Sequence, residues 1–279
     1  NSYQLTANSS FLILSSITLL TPTSGIVGTI LTMEGSGQKG ELYIDFGTHQ
    51  TITTTTAQDS GTFSITFTVN TQAGGTTTIT ANSYQLTANS SFLILSSITL
   101  LTPQSGIVGT IVTVEGLGAK DEIAIDFGTS QTITTLIASQ SGTFSVTFIV
   151  DTQVGGTTTI IFTFHFSLFT SYFYILSSIT LLSPQSGIVS TEVTIEGLGV
   201  NGEVSIDFGT HQTITTTIAS QSGTFSITFI VNTQPGGTTT ISANSYQLTA
   251  NSSFLILSSI TLLTPQSGIV GTEVTIEGL

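Results

Sequence analysis

Apart from six tyrosines, the ionisable side chains of this 279-residue sequence are fifteen carboxylates, three histidines and two lysines. The acids are the first candidates for chemistry. Glu34, Glu41 and Asp45 recur as Glu115, Glu122 and Asp126, and again as Glu196, Glu203 and Asp207. Paired carboxylates of this kind could hydrolyse a glycoside, one as acid and the other as base or nucleophile. A hydrolase, however, builds one cleft lined with aromatics, whereas these acids are repeated and the chain has no Trp. Calcium would need about six to eight oxygens, usually from clustered loop acids. No D-x-D-x-D-G run is present, so the leading expectation is solvated surface acids and no cofactor, with calcium as the alternative.

The histidines offer no better case. His49 and His211 occupy a G-T-H-Q segment whose middle copy carries Ser130, and His165 stands elsewhere. A nucleophile–histidine–acid arrangement needs one unique constellation, and a position that accepts Ser is not that. With no cysteine, thiolate metal sites, disulfides and Cys nucleophiles are excluded. The expectation is a protein that is not an enzyme.

Modification is a different kind of chemistry, and here the sequence is more suggestive. Asn8-Ser9-Ser10, Asn89-Ser90-Ser91 and Asn251-Ser252-Ser253 are N-glycosylation acceptors that recur in register. They alternate out of phase with apolar neighbours such as Leu86 and Ala88, so the Asn side chains should face solvent. The run Thr51–Thr56 (TITTTT) suits O-glycans, and also resembles the T-x-T arrays of ice-binding surfaces.

Charged residues make up 6% of the chain, against about 25% in ordinary soluble domains. Ser and Thr, roughly a third of all residues, supply the polarity instead. Two lysines and no Arg cannot neutralise a run of phosphates, so nucleic acid is excluded as a partner. The same lack removes attraction to anionic lipid.

What would position these groups is a repeat. The string SSITLL begins at Ser15, Ser96, Ser177 and Ser258, a spacing of 81 residues each time. Whole units are 15–95, 96–176 and 177–257. Residues 1–14 read as the end of a preceding unit and 258–279 as the start of a following one, so the frame predicts a window on a longer array.

Within a unit the apolar period is two. Phe63, Ile65, Phe67 and Val69 share one face, and Leu42, Ile44 and Phe46 share another, with Glu41, Tyr43 and Asp45 opposite. Seven short strands per unit, punctuated by Gly, Pro and Ser clusters, predict an all-β fold of tandem immunoglobulin-like sandwiches. Ala73-Gly74-Gly75, Val154-Gly155-Gly156 and Pro235-Gly236-Gly237 read as tight turns. No flexible linker separates the units, and FLILSSITLL reads as a strand running from one unit into the next, which predicts a stiff rod. Its apolar character on both faces calls for a cover, either from the next unit or from another chain.

In the middle unit Ile161–Ile175 (IFTFHFSLFTSYFYI) replaces TANSYQLTANSSFLI. A membrane span needs about 20 apolar residues, and Thr163, His165, Ser167, Thr170 and Ser171 interrupt this one. Alternating Phe162, Phe164 and Phe166 favour a variant last strand instead. No membrane span is expected.

The third unit, with SITLLSPQSGIVSTEVTIEGLG, EVSIDFG and SGTFSITFIVNTQPGGTTTISA, resembles the IPT/TIG-type immunoglobulin-like domain found in tandem on microbial surface proteins. The resemblance covers nearly every unit. It implies an early-set immunoglobulin sandwich, extracellular or cell-surface exposure, and no catalytic residues. One departure is that the aromatic usual after G-x-G is replaced by Gln38, Ala119 or Val200.

Near-identical units suit length better than recognition, since they stack into a quasi-one-dimensional object. The leading expectation is a filament, stalk or sheath protein whose partners are copies of itself and attached glycans. The alternatives are the stalk of an adhesin whose binding head lies outside this chain, or a carbohydrate- or ice-binding array. A direct check of the composition is tryptic digestion of the unfolded chain. Cleavage is expected after Lys39 and Lys120 alone, and a ladder of many fragments would contradict the sequence.

Overall fold

The computed structural model describes residues 13–47, 50–84, 86–128, 131–165, 167–209 and 212–279. The first sandwich contains β1 (Ser16–Thr21), β2 (Ser24–Ile26), β3 (Ile30–Ser36), β4 (Glu41–Phe46), β5 (Thr51–Thr56), β6 (Phe63–Thr68), β7 (Gly75–Ser83) and β8 (Leu86–Leu95). The second repeats them as β9 (Ser97–Thr102), β10 (Ser105–Ile107), β11 (Ile111–Leu117), β12 (Glu122–Phe127), β13 (Thr132–Ile137), β14 (Phe144–Ile149), β15 (Gly156–Phe164) and β16 (Ser167–Leu176). The third is β17 (Ser178–Ser183), β18 (Ser186–Gly187), β19 (Glu192–Leu198), β20 (Glu203–Phe208), β21 (Thr213–Ile218), β22 (Phe225–Ile230), β23 (Gly237–Ser245) and β24 (Leu248–Ile256). A hairpin of β25 (Ile260–Thr264) and β26 (Thr275–Gly278) follows.

Each sandwich pairs a three-stranded sheet, ordered β1-β3-β6 in the first, with a five-stranded sheet, ordered β2-β8-β7-β4-β5. The fold is therefore all-β, in tandem immunoglobulin-like sandwiches. The pattern of eight strands corrects the expected seven. The extra strand, β2, is only three residues long, too short to show a period. It pairs in parallel with β8, whereas β1 pairs antiparallel with β3. The chain thus changes sheet at Pro22, where a missing N–H costs no ladder bond.

The alternation read from sequence is the alternation found. Leu42, Ile44 and Phe46 are fully buried, and so are Leu31 and Met33 on the facing sheet. One apolar cluster forms per sandwich. Its centre is an edge-to-face aromatic pair, Phe46 with Phe92 at 5.7 Å, repeated by Phe127 with Phe173 and Phe208 with Phe254. Such pairs put the positive ring edge against the negative face and add about 0.5–1.5 kcal/mol beyond burial.

The segment Ile161–Ile175 is strand, as its alternating phenylalanines require. It is not confined to the last strand, however: it spans the end of β15, the turn and nearly all of β16. Phe162, Phe164, Phe173 and Ile175 fill the core, while Phe166 lies outside the described residues. Among the described residues no helix is long and apolar enough to cross a membrane.

In the third sandwich Phe229 is 6% exposed and packs on Phe208 at 5.3 Å. Phe229→Ala should cost about 3–5 kcal/mol through lost burial and a residual cavity. Hydrogen exchange across residues 177–257 is the measurement, and unchanged protection there would contradict this packing.

Candidate functional site: the joints and the polar sheet face

Consecutive sandwiches meet without a linker. The last strand of one and the first of the next are separated by a single residue, Ser96 between β8 and β9 and Ser177 between β16 and β17. The joint is therefore not one continuous strand, which corrects the reading of FLILSSITLL. β8 belongs to the five-stranded sheet of its own sandwich and β9 to the three-stranded sheet of the next. Ser96 marks the change by donating its hydroxyl to the Gly118 carbonyl at 2.9 Å.

The turn Gln72-Ala73-Gly74 seats itself against the next sandwich. The Gly74 N–H donates to the Ala119 carbonyl at 3.3 Å. A β-carbon on Gly74 would overlap the Gly118 carbonyl, and one on Gly142 would fall 2.5 Å from the Gln72 carbonyl. The second joint repeats this arrangement, with Gly155 against the Gly199 carbonyl and Gly223 against that of Gln153 at 2.6 Å. Gly74 and Gly155 do not have positive φ, unlike Gly75 and Gly156 beside them. Their identity therefore answers to close backbone approach, the second use of glycine. Ala119 and Val200, which replace the aromatic of the resemblance, are fully buried here. The joint was missed in the sequence, where the Gly pair read simply as a tight turn.

The outer face of the five-stranded sheet holds the acids. Asp45 on β4 accepts from Thr51 Oγ1 at 3.0 Å and from Asn82 Nδ2 at 2.8 Å, and Asn82 Oδ1 accepts from Thr87 Oγ1 at 3.0 Å. Four neighbouring strands, β5, β4, β7 and β8, are thereby tied by side chains. The third sandwich reproduces the row through Thr213, Asp207, Asn244 and Thr249. In the second, Thr132 still donates to Asp126 at 2.8 Å, but Thr163 and Leu168 stand where Asn82 and Thr87 would be.

The structure does not gather the acids into a ligand set. Glu34 lies on β3 in the other sheet, and Glu41 accepts from the Tyr43 hydroxyl at 3.0 Å. That hydrogen bond, together with the Glu41 charge, holds the Tyr43 phenol above its ordinary pKa. Among the described residues no group of three His, Asp or Glu could hold a metal ion. His165 sits 3.9 Å from Asp121, both more than half exposed. His49, His211 and Asn8 lie outside the described residues.

Asn89 and Asn251 are exposed on β8 and β24. Ser91 and Ser253, two residues on, share that outward face, while Ala88 and Ala250 point into the core.

No protein-family model matches the chain, and no curated protein matches it. Among solved structures, a protein crystallised with a xylogluco-oligosaccharide is 16% identical with a TM-score of 0.35, over 86% of this chain and 60% of that one. Invasin, a bacterial integrin-binding protein, is 16% identical with a TM-score of 0.26, over 90% of this chain and 62% of its own. A fragment of titin is 9% identical with a TM-score of 0.31, over 88% and 99%. The chain thus spans about three-fifths of the first two. At these scores no activity, ligand or partner passes from them to this chain.

The joint geometry is testable by glycine substitution. Gly155→Val should cost about 1–3 kcal/mol, because the overlap is with backbone that has nowhere to go. Gly236→Val, in the same turn of the third sandwich, should cost less, since a β-carbon there meets the Ser258 hydroxyl at 2.9 Å and no closer atom. Urea titration of the two variants compares them, and equal midpoints would contradict a tight joint.

Proposed function

We propose that this protein is a structural component of an extracellular or cell-surface filament, stalk or sheath, built as a rigid array of immunoglobulin-like repeats. The observation that carries this reading is the joint, where backbone meets backbone at both junctions with no room for a β-carbon. A chain designed to recognise a ligand with each unit would keep its units free to orient. One that bears length fixes them. A chain with 6% charged residues, in which Ser and Thr supply most of the polarity, fits a scaffold. The tandem IPT/TIG-like class is the family reading that best fits the sequence motifs.

We further propose that Asn89 and Asn251 carry N-glycans, with Asn8 as the equivalent acceptor. Both described side chains are exposed with the acceptor serine on the same face. The self-association implied by a filament would use copies of the same chain.

Two measurements test the reading. Antibody labelling of intact source cells should mark thin fibres or rods outside the cell, and label confined to the interior would contradict it. The intact mass of native material should exceed 29.0 kDa for this stretch of chain and fall on deglycosylation. Unmodified Asn at every acceptor would remove the glycan proposal while leaving the scaffold intact.

A further inference from the structure

The second sandwich differs from its neighbours on both faces of β15 and β16. On the buried side Phe173 and Ile175 match Phe92 and Ile94, while Phe162 and Phe164 stand in the core where the first sandwich has Ala81 and Ser83. On the outward side, Tyr172 takes the place of Ser91, Tyr174 that of Leu93, Leu168 that of Thr87 and Ile161 that of Thr80. Tyr172 is 64% exposed and Leu168 65%, and Tyr174 is half-buried. None of Tyr172, Tyr174 and Leu168 belongs to the core cluster of this sandwich, so its packing does not call for them. The same segment also removes the glycan acceptor: Asn89-Ser90-Ser91 becomes Thr170-Ser171-Tyr172. The face that gains tyrosines is the face that cannot be covered by an N-glycan at this position.

We propose that the Tyr172–Tyr174 stripe is a binding platform for a neutral polysaccharide chain. Residues two apart on a strand lie about 6.6–6.8 Å from each other on one face, so two rings meet successive sugars of an extended chain. A pyranose presents a C–H face and a hydroxyl edge, and tyrosine offers an apolar ring with a polar tip to match it. The cross-strand partners of Tyr172 and Tyr174 are Thr159 and Thr157, and Thr170 precedes them on the same face. These hydroxyls donate or accept at the sugar edge. In the neighbouring row Asp126 pairs with Ile161, which pairs with Thr170. That carboxylate disfavours an anionic polymer. Binding belongs to one sandwich and is independent of whether the array forms filaments.

The test uses the 279-residue protein in native gels containing hydroxyethylcellulose, laminarin or yeast mannan, with polygalacturonate as the anionic comparison. The variant carries Tyr172→Ser and Tyr174→Leu, the residues that the first and third sandwiches hold there, so the fold has a precedent for both. At least one neutral polymer should retard the protein, polygalacturonate should not, and the variant should lose about tenfold or more in apparent affinity. Retardation by no neutral polymer would overturn the proposal, as would equal retardation of the variant or stronger binding of polygalacturonate. Sedimentation of the same two proteins covers the remaining occupant. Concentration-dependent self-association that the variant abolishes would assign the stripe to a second copy and overturn the polysaccharide reading.

Discussion

Close backbone approach at the joint is the constraint on which the rest of the structure depends. When Gly74 lies against the Gly118 carbonyl, three separate pieces of the next sandwich are fixed at once: the end of β11, the buried Ala119 and the turn at Gly142. Packed backbone has few soft degrees of freedom, so its orientation is set by sterics and not by a balance of flexible side chains. The single residue between β8 and β9 adds a short covalent tether. Together these make the direction of one sandwich a consequence of the direction of the last. The junction between the second and third sandwiches repeats the close approach, with Gly155 against the Gly199 carbonyl.

The side-chain rows on the five-stranded sheet serve that stiffness within a sandwich. Asp45 has both carboxylate oxygens engaged by neighbouring strands, which leaves it a cross-brace more than a ligand for a cation. Hydrogen bonds to a charged acceptor are worth about 1.5–3 kcal/mol where they are sheltered and less on an open face. Their effect here is to fix register across β5, β4, β7 and β8. Hydroxyls and amides perform this without the charge content of an ordinary surface, which is how a chain with 6% charged residues stays polar outside.

Much of this was legible in the sequence because period-two alternation states which face is buried. Phe46 and Phe67 could be placed inside, and Asn89 and Asn251 outside, from their neighbours alone. Short β2 was not legible, since three residues after a proline carry no period. The row Thr51–Asp45–Asn82–Thr87 was hidden for a different reason: Asp45 and Asn82 are 37 residues apart, and only the sheet register sets them side by side. The joint left a fainter signal. In Gly74-Gly75 the second glycine accounts for the turn by its positive φ, and the first is surplus to that need. A surplus glycine, with small Ala119 where the resemblance has an aromatic, points to something packed against it.

The absence of cysteine permits a direct measurement of the joint. Thr54, Thr135 and Thr216 are exposed equivalents on β5, β13 and β21 of successive sandwiches. Replaced by Cys in pairs and spin-labelled, they report the distance from one sandwich to the next by pulsed electron resonance. A fixed joint predicts one narrow distribution, the same for Thr54 with Thr135 as for Thr135 with Thr216. Broad distributions, or two different mean distances, would contradict it.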